Sequence, residues 1–235
     1  MPRFLVTGTL RCGLSYTARV FNRMGIACGH EWVYTPDGVR RYPEIAILGD
    51  ASWMGVPFAR EFDGLVIHLV RHPLDVIGSL VGPARLRGSL ARGPEGEFLA
   101  RYFVSGGDLL DDAMRYYVSW NARSERHDAY RRCRLEDLDA GRLLRIADMV
   151  GQPVDDDDVS RAIRAVPAVD HATPPLERPK WSDLPRGPSR DALMKQATRY
   201  GYEVIDEGPP GTAGPKPALT APGDTATLPR TVGPG

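Results

Sequence analysis

The sequence has no net charge, few cysteines and no metal-binding spacing. Lys and Arg together number 30, and so do Asp and Glu. Charge balance therefore gives no reason to expect nucleic acid or an anionic membrane as a partner, and any anion site must be a local cluster. The three cysteines, Cys12, Cys28 and Cys133, are odd in number and form no framework of disulfide spacing. No CxxC or Cys/His cluster indicates zinc, so reduced thiols are expected.

Long hydrophobic runs are also missing. No run approaches the roughly 18 apolar residues of a membrane span, so no integral membrane segment is expected. The first residues lead into a strand-like stretch, Phe4 to Val6, and carry no basic region followed by a signal-type apolar stretch. With 42% hydrophobic and 26% charged residues, the composition is that of an ordinary globular protein. We therefore expect a cytoplasmic protein.

Apolar runs alternate with helical patterns along most of the chain, which predicts an α/β protein with a mainly parallel sheet. Residues 206–235 are mostly Gly, Pro, Thr and Ala and are predicted to be a disordered tail, so the folded domain is expected to span residues 1–205. Residues 84–97 are rich in Gly, Pro and Arg and are interpreted as mobile. The predicted strands are 3–7, 26–28, 45–48, 65–70 and 132–135, and the predicted helices are 14–25, one after Pro73, 108–130, 139–150, 157–165 and 189–200.

The first predicted strand leads into a glycine-rich loop, TGTLRCGLSY, at residues 7–16. Gly8 and Gly13 have the spacing of a phosphate-binding loop, in which backbone N–H groups and a helix N-terminus form an anion site. Leu14 stands where a nucleotide-hydrolysing loop has its lysine, and Arg11 lies inside the loop. In the alternative interpretation the glycines serve only a turn, and Arg11 is a solvated surface charge.

A second motif, LVRHPLDVIGSL, spans residues 69–80. Arg71 leaves the end of a buried strand, and Ser79 lies eight residues later, about two turns along the following helix. A strand-end arginine and a helix serine can converge on one phosphate. The alternative is that Arg71 pairs with a local acid and that Ser79 is ordinary helix surface.

Together these motifs resemble the sulfotransferases that use 3′-phosphoadenosine-5′-phosphosulfate (PAPS), of the bacterial and carbohydrate type. The first motif looks like their 5′-phosphosulfate loop and the second like their 3′-phosphate motif. The stretch 134–151, KWSDLP at 180–185 and RYGYE at 199–203 are similar to later parts of the family, so the resemblance covers roughly residues 3–205. Cys12 and Leu14 depart from it, because the family usually has hydroxyl side chains there.

The resemblance implies a three-layer P-loop-like fold, a central mainly parallel sheet flanked by helices. It implies PAPS as co-substrate, no required metal, and a hydroxyl or amine of a carbohydrate or small molecule as acceptor. Arg11 would stabilise charge on the leaving phosphate. The sequence carries no signal for the oligomeric state. The residues expected to bind the co-substrate are Arg11, Cys12, Gly13, Leu14, Ser15, Tyr16, Arg71 and Ser79.

The acceptor must lose a proton, and CGHEWVY at residues 28–34 supplies two candidate bases, Glu31 and His30. Glu31 is preferred, because family members of the carbohydrate and bacterial type have a glutamate near this place. Alternatively, Glu31 pairs with Arg11 or Arg40. Asp50, Ser52 and Trp53 follow the next predicted strand; they either orient the acceptor or serve packing and capping.

Two other functions compete with this interpretation. A P-loop kinase for a small metabolite would need the lysine that Leu14 replaces. A non-catalytic nucleotide-binding module of the same fold would explain the lost hydroxyls at Cys12 and Leu14. A reactive thiol is a further hypothesis, because a helix N-terminus beside Arg11 would lower the pKa of Cys12.

Overall fold

A five-stranded parallel sheet forms the centre of the molecule. The computed structural model describes residues 3–40, 47–82, 93–126, 130–167 and 178–205. The strands of the sheet lie in the order β2, β5, β1, β6, β7, and every pairing between neighbours is parallel. A short antiparallel hairpin pairs β3 with β4. The strands are β1 (Phe4–Gly8), β2 (Cys28–His30), β3 (Tyr34–Thr35), β4 (Gly38–Val39), β5 (Gly49–Ala51), β6 (Leu65–Val70) and β7 (Tyr130–Arg134).

The helices pack in two separate groups, which flank the sheet. One group joins α1, α5 and α6, and the other joins α2, α4, α7 and a 3₁₀ segment at Trp53–Glu61. The predicted α/β class, a mainly parallel sheet flanked by helices, is confirmed. The helices are α1 (Leu14–Arg23), α2 (Pro73–Val81), α3 (Pro94–Ala100), α4 (Leu109–Ser124), α5 (Ala140–Met149), α6 (Asp156–Ala165) and α7 (Pro188–Arg199).

The two central strands are covered on both faces, which explains their apolar sequences. Every residue of β1 is buried, and five of the six residues of β6 are buried. Because helices cover both faces of a parallel sheet, such strands do not alternate between apolar and polar residues. His68 of β6 is therefore a core histidine: its Nε2 atom lies 2.9 Å from Oδ1 of Asn121, and burial lowers its pKa to about 4.

An aromatic cluster fills the core on the α4 side. The indole Nε1 of Trp120 donates to the carbonyl oxygen of Trp53 at 3.0 Å, and the two rings lie 5.8 Å apart. Tyr116 packs 5.1 Å from Trp120, and Phe98 of α3 packs edge-on to Trp53 at 5.5 Å. The cluster ties α3 and α4 to the segment that follows β5, beneath the carboxyl edge of the sheet.

Several predicted boundaries are wrong. The second strand is Cys28–His30, not 26–28, because Ile26 closes α1: its N–H donates to the carbonyl of Phe21 at 2.9 Å, which is the Schellman ending of a helix. The next strand is Gly49–Ala51 and contains Asp50, whereas the sequence predicted a strand at 45–48, of which 45 and 46 lie outside the described residues.

Two longer stretches also differ. Residues 94–97, interpreted as mobile, form the start of α3, which begins at Pro94 and has Glu95 and Glu97 in its first turn. The long helix ends at Ser124 rather than at 130, where β7 begins. The rest of the interval 84–97 and the predicted tail at 206–235 lie outside the described residues.

Candidate active site

Three loops meet at the carboxyl edge of the sheet, because parallel strands end on the same side. The loop after β1 carries Arg11, the turn after β2 carries Glu31, and the segment after β6 carries Arg71. Arg11 has φ 68° and Glu31 has φ 59°. Among the described residues they are the only non-glycine residues with positive φ. Such backbone strain is concentrated at functional sites, and here it singles out two of the predicted catalytic residues.

The loop after β1 is fastened to α4 and leads into α1. The hydroxyl of Tyr116 accepts a hydrogen bond from the amide of Leu10 at 3.0 Å, and the amide of Cys12 donates to the carbonyl of Thr9 at 3.3 Å. Gly13 precedes α1 in a left-handed conformation, φ 105°, which favours glycine. The loop therefore holds a fixed shape at the helix N-terminus.

The first turn of α1 is suited to an anion. Within the described residues, the backbone amides of residues 13–16 have no hydrogen-bond acceptor, as expected where no preceding turn exists. No acidic side chain lies in this first turn. Ser15 is exposed and Tyr16 is half-buried, whereas Leu14 is buried in the core. The amides and the Ser15 hydroxyl thus offer donors to an anion, and the Leu14 side chain serves packing instead.

Cys12 does not have the properties of a reactive thiol. Its side chain is fully buried, and burial raises its pKa to about 12, although a hydrogen bond with Thr9 and the charge of Arg71 act in the opposite direction. The hypothesis of a lowered pKa at the helix N-terminus is therefore wrong, because loss of solvation outweighs the nearby positive charge. The amide of Cys12 is already bonded to Thr9, so Cys12 contributes packing to the loop.

The two motifs come together through Arg11. Its Nε donates to Oγ of Ser79 at 2.8 Å, across 68 residues of sequence. A terminal guanidinium nitrogen of Arg71 lies 3.3 Å from the carbonyl oxygen of Arg11. Ser79 is only 9% exposed, so it is not ordinary helix surface. Arg11, Arg71 and Ser79 form one cluster between the loop after β1 and helix α2.

An acidic residue links Arg71 to a third arginine. Asp75 lies 3.8 Å from Nε of Arg71 and 3.3 Å from Nε of Arg178, measured to its two carboxylate oxygens. The sequence raised the alternative that Arg71 pairs with a local acid. That acid is Asp75, which lies four residues later, a spacing at which side chains on a helix meet. A half-exposed pair at this distance contributes little stability, so an incoming phosphate can compete for Arg71.

A cavity lies beside this arginine pair. Its volume is about 490 Å³, and its walls include His72, Arg178, Lys180 and Trp181. Lys180 and Trp181 belong to the KWSDLP stretch that resembles a later part of the family, and here they line the cavity wall. Burial and the charge of Arg178 lower the pKa of His72 to about 4, so its ring is neutral at pH 7. The charge that faces the cavity comes from Arg178 and Lys180, opposed by Glu203.

Glu31 and His30 stand together at the end of β2. Nε2 of His30 lies 3.9 Å from Oε1 of Glu31, and the Glu31 side chain is 24% exposed. Arg40, one of the arginines considered as a structural partner of Glu31, pairs with Asp37 at 2.9 Å. Burial lowers the pKa of His30, as does the charge of Arg19. A neutral His30 leaves the carboxyl of Glu31 without a full positive charge beside it.

The pKa of Glu31 is raised to about 7. Burial is the main cause, the negative charges of Glu95 and Asp50 add to it, and a hydrogen bond with Trp53 acts in the opposite direction. A carboxyl group with a pKa near the working pH is well suited to take up and release a proton. The preferred base therefore has the electrostatic surroundings that its predicted role requires.

Asp50, Ser52 and Trp53 lie behind this edge and not on its surface. Asp50 and Ser52 are 0% exposed, and Trp53 is 1% exposed. Ser52 caps the following 3₁₀ segment, because its hydroxyl accepts a hydrogen bond from the amide of Met54 at 3.2 Å. Of the two alternatives, packing and capping is the one that the geometry supports.

Sequence reasoning missed three supporting residues. The hydroxyl of Tyr117 donates to the carbonyl of Arg71 at 2.9 Å, just as Tyr116 holds the loop after β1, so α4 supports both motifs. Glu95 acts on Glu31 through its charge from α3. The adjacent tyrosines lie in the predicted helix 108–130, but no sequence signal connects Glu95 to Glu31, which lies 64 positions earlier.

No group of three or more His, Cys, Asp or Glu side chains in the described ranges could hold a metal ion. Among the helices in those ranges, none is both long enough and apolar enough to cross a membrane.

Comparison with known proteins gives a structural likeness and no match in sequence. No protein-family model matches the sequence, and no curated protein matches it. The chain is similar to the crystal structure of mouse sulfotransferase SULT7A1 complexed with PAP, with 15% identity and a TM-score of 0.42. The match covers 71% of this chain and 63% of that chain, so it spans less than two thirds of the mouse protein. The α/β architecture itself is established by the parallel sheet of this chain.

Proposed function

We propose that this protein is a sulfotransferase, which moves a sulfuryl group from PAPS to a hydroxyl or amine of a carbohydrate or small-molecule acceptor. The observation that carries the proposal is the 2.8 Å contact between Arg11 and Ser79. It joins the loop that resembles a 5′-phosphosulfate site to the helix that resembles a 3′-phosphate site. PAPS carries one phosphate on the 3′ position and another on the 5′ position of the same ribose, so its binding needs two anion sites that lie close together.

The two ends of the donor would meet different surroundings. The 5′-phosphosulfate would lie on the amides of residues 13–16, with the Ser15 hydroxyl and Arg11 as further donors. The 3′-phosphate would replace Asp75 as the partner of Arg71. The adjoining cavity of about 490 Å³ is within the usual size range of small-molecule sites and would take part of the nucleoside.

Transfer of the sulfuryl group would proceed in line. The acceptor oxygen or nitrogen attacks sulfur while the bond from sulfur to the 5′-phosphate oxygen breaks, and the electron pair of that bond stays on the phosphate. Arg11 and the loop amides would stabilise the developing negative charge. Glu31 would take the acceptor proton, and neutral His30, 3.9 Å away, would not compete for that carboxylate as a salt bridge.

The activity is expected to rise with pH through a midpoint near 7. Glu31 must be ionised to accept a proton, and its raised pKa of about 7 places half of the molecules in the active form at that pH. The initial rate of transfer from a radiolabelled donor, measured from pH 5.5 to 9 at constant ionic strength, checks this. A rate that stays constant between pH 6 and 8 would exclude Glu31 as the base.

Replacing Arg71 by alanine is expected to weaken binding of 3′,5′-adenosine bisphosphate by roughly 10- to 100-fold, because hydrogen bonds to a charged group contribute about 1.5–3 kcal/mol. Calorimetric titration of the wild type and of Arg71→Ala measures the change. Arg161→Ala is the matched control. Arg161 is 70% exposed, pairs with Asp158 and lies on α6, in the helix group that does not contain α2. The control variant therefore removes one positive charge at a distance from the site.

The same titration is run with ATP·Mg. Preference for the bisphosphate, lost in Arg71→Ala and kept in Arg161→Ala, supports the donor site. Preference for ATP·Mg would overturn the proposal in favour of a small-molecule kinase. If neither ligand binds, the proposal fails.

A further inference from the structure

A buried carboxylate lies under the turn that carries Glu31. Oδ1 of Asp50 accepts the amide of Trp32 at 3.1 Å, and Oδ2 accepts the amides of Val33 and Tyr34 at 3.2 Å each. Asp50 is fully buried within β5, the strand beside β2. We name these three hydrogen bonds the amide clamp. Three consecutive amides directed at one carboxylate fix the path of the turn as a unit.

The clamp acts on a strained turn. Glu31 has φ 59°, a left-handed conformation that is unfavourable for any residue with a side chain. Its own amide donates to the carbonyl of Ala51 at 3.2 Å, so Glu31 is tied to β5 on one side and the clamp begins at the next residue. The hydroxyl of Ser52 also donates to the carbonyl of Tyr34 at 3.0 Å. Contacts with β5 therefore hold both ends of the turn.

The close approach of Asp50 depends on Gly29. A Cβ atom at that position would lie 2.6 Å from Oδ1 of Asp50 and 3.0 Å from Cβ of Trp32. Neither distance is compatible with an unchanged clamp. A side chain at position 29 would force the carboxylate and the turn apart without altering any charge, which provides a second means of disturbing the clamp.

We infer that Asp50 is a positioning residue, which holds the strained turn after β2 so that the Glu31 carboxyl stays fixed at the carboxyl edge of the sheet. The inference deepens the proposed function and rests on it where it concerns catalysis. Asp50 acts through the backbone of residues 32–34 and is itself shut off from any acceptor. It also contributes negative charge close to Glu31.

The charged groups near Glu31 come from several elements. His30 lies 3.9 Å away at the end of β2, Glu95 acts from the start of α3, and Asp50 acts from β5. Removing the Asp50 charge and loosening the clamp both favour ionisation of Glu31, the first by ending a like-charge interaction and the second by admitting water. Both effects therefore change the Glu31 pKa in the same direction.

Asp50→Asn keeps the size of the side chain but loses its charge and one acceptor oxygen. We expect the pKa of Glu31, followed by carbon NMR of glutamate carboxyls and assigned with Glu31→Gln, to fall by about half a pH unit or more. In the transfer assay, kcat should fall while the affinity for 3′,5′-adenosine bisphosphate stays within about twofold, because the clamp is not part of the donor site. Gly29→Ala should also reduce kcat.

Asp112→Asn is the matched control. Asp112 is a buried aspartate that accepts the amides of Gly106 and Gly107, and its charge is not among those that raise the Glu31 pKa. This variant should lower stability while leaving that pKa unchanged. An unchanged Glu31 pKa in folded Asp50→Asn, or an equal fall in Asp112→Asn, would overturn the inference.

If Asp50→Asn does not fold, hydrogen exchange of the wild-type protein tests the inference instead. Hydrogen exchange should show slow exchange at the amides of residues 32–34, and rapid exchange at all three would overturn the inference. Neither the NMR titration nor the exchange experiment needs donor or acceptor. Failure of the sulfotransferase proposal in calorimetry is therefore distinguishable from failure of the clamp.

Discussion

Replacing Glu31 by glutamine is expected to lower the rate of sulfuryl transfer by about 10²- to 10⁴-fold, the usual contribution of a general base. Glutamine keeps the shape of the side chain but cannot take the acceptor proton. The affinity for 3′,5′-adenosine bisphosphate should not change, because the donor phosphates meet Arg11 and Arg71. The measurement is transfer from radiolabelled PAPS to a panel of sugars, phenols and amines, with calorimetry on the same preparations.

The same substitution should stabilise the folded protein at alkaline pH. The Glu31 pKa is near 7 in the folded state and 4.5 is its ordinary value, so the carboxyl favours folding below pH 4.5 and loses that contribution as pH rises through 7. Glutamine avoids the cost of burying a charge. The melting temperature of Glu31→Gln should therefore exceed that of the wild type at pH 8.5 and lie close to it at pH 4.5.

A loss of activity together with a gain in stability cannot be attributed to unfolding. Glu95→Gln is the control variant, because it removes a charge that raises the Glu31 pKa but lies on α3. It should keep the transfer activity and move the midpoint of the pH profile to lower pH. Full activity in Glu31→Gln would contradict the role of Glu31 and would direct attention to His30.

The sequence predicts the central strands best. The run LVIHLV was predicted at 65–70, and β6 occupies Leu65–Val70, because a strand buried on both faces needs a continuous apolar run. Prediction failed where side chains serve another element. Ile26 is apolar because it is buried at the Schellman turn that ends α1, and β5 is too short and too polar, with Asp50 at its centre, to look like a strand.

The candidate site likewise has a part that the sequence predicts and a part that depends on tertiary packing. The sequence predicted that Arg71 and Ser79 converge, and in the structure Arg11 joins them, because its Nε donates to Ser79 and its carbonyl oxygen accepts from Arg71. The contact between Arg11 and Ser79 was not predicted, because it depends on how the loop after β1 packs against α2. The clamp at Asp50 and the effect of Glu95 on Glu31 depend on how β5 and α3 pack, which local sequence patterns do not contain.

Replacing Gly8 by alanine is expected to destabilise the fold by at least about 3 kcal/mol, the upper range for an overpacked core. A Cβ atom at residue 8 would lie 2.2 Å from the carbonyl oxygen of Leu69 and 2.9 Å from Sγ of Cys12. The first neighbour is backbone of β6, which pairs with β1 at this register and cannot move without breaking the central ladder. The melting temperature should fall by about 6–12 °C.

Gly25→Ala is the matched control, because glycine is favoured there by the backbone conformation and not by lack of space. Its φ is 81°, yet a Cβ atom there would meet nothing within 4 Å. Alanine should therefore cost only the strain of the left-handed conformation, about 1 kcal/mol. Thermal unfolding of both variants beside the wild type measures the difference, and equal effects would contradict the clash at Gly8.

The comparison separates the two glycines of the phosphate-loop spacing. Gly8 is not left-handed, and its missing side chain lets β1, β6 and the buried Cys12 thiol approach one another. Gly13 is left-handed, with φ 105°, and turns the chain into the helix whose first amides face the proposed anion. We therefore expect Gly8→Ala to lose stability chiefly. A Cβ atom at Gly13 would also lie 2.7 Å from the Leu135 side chain, so Gly13→Ala should lose both stability and bisphosphate affinity, the latter because the strain falls on the binding turn itself.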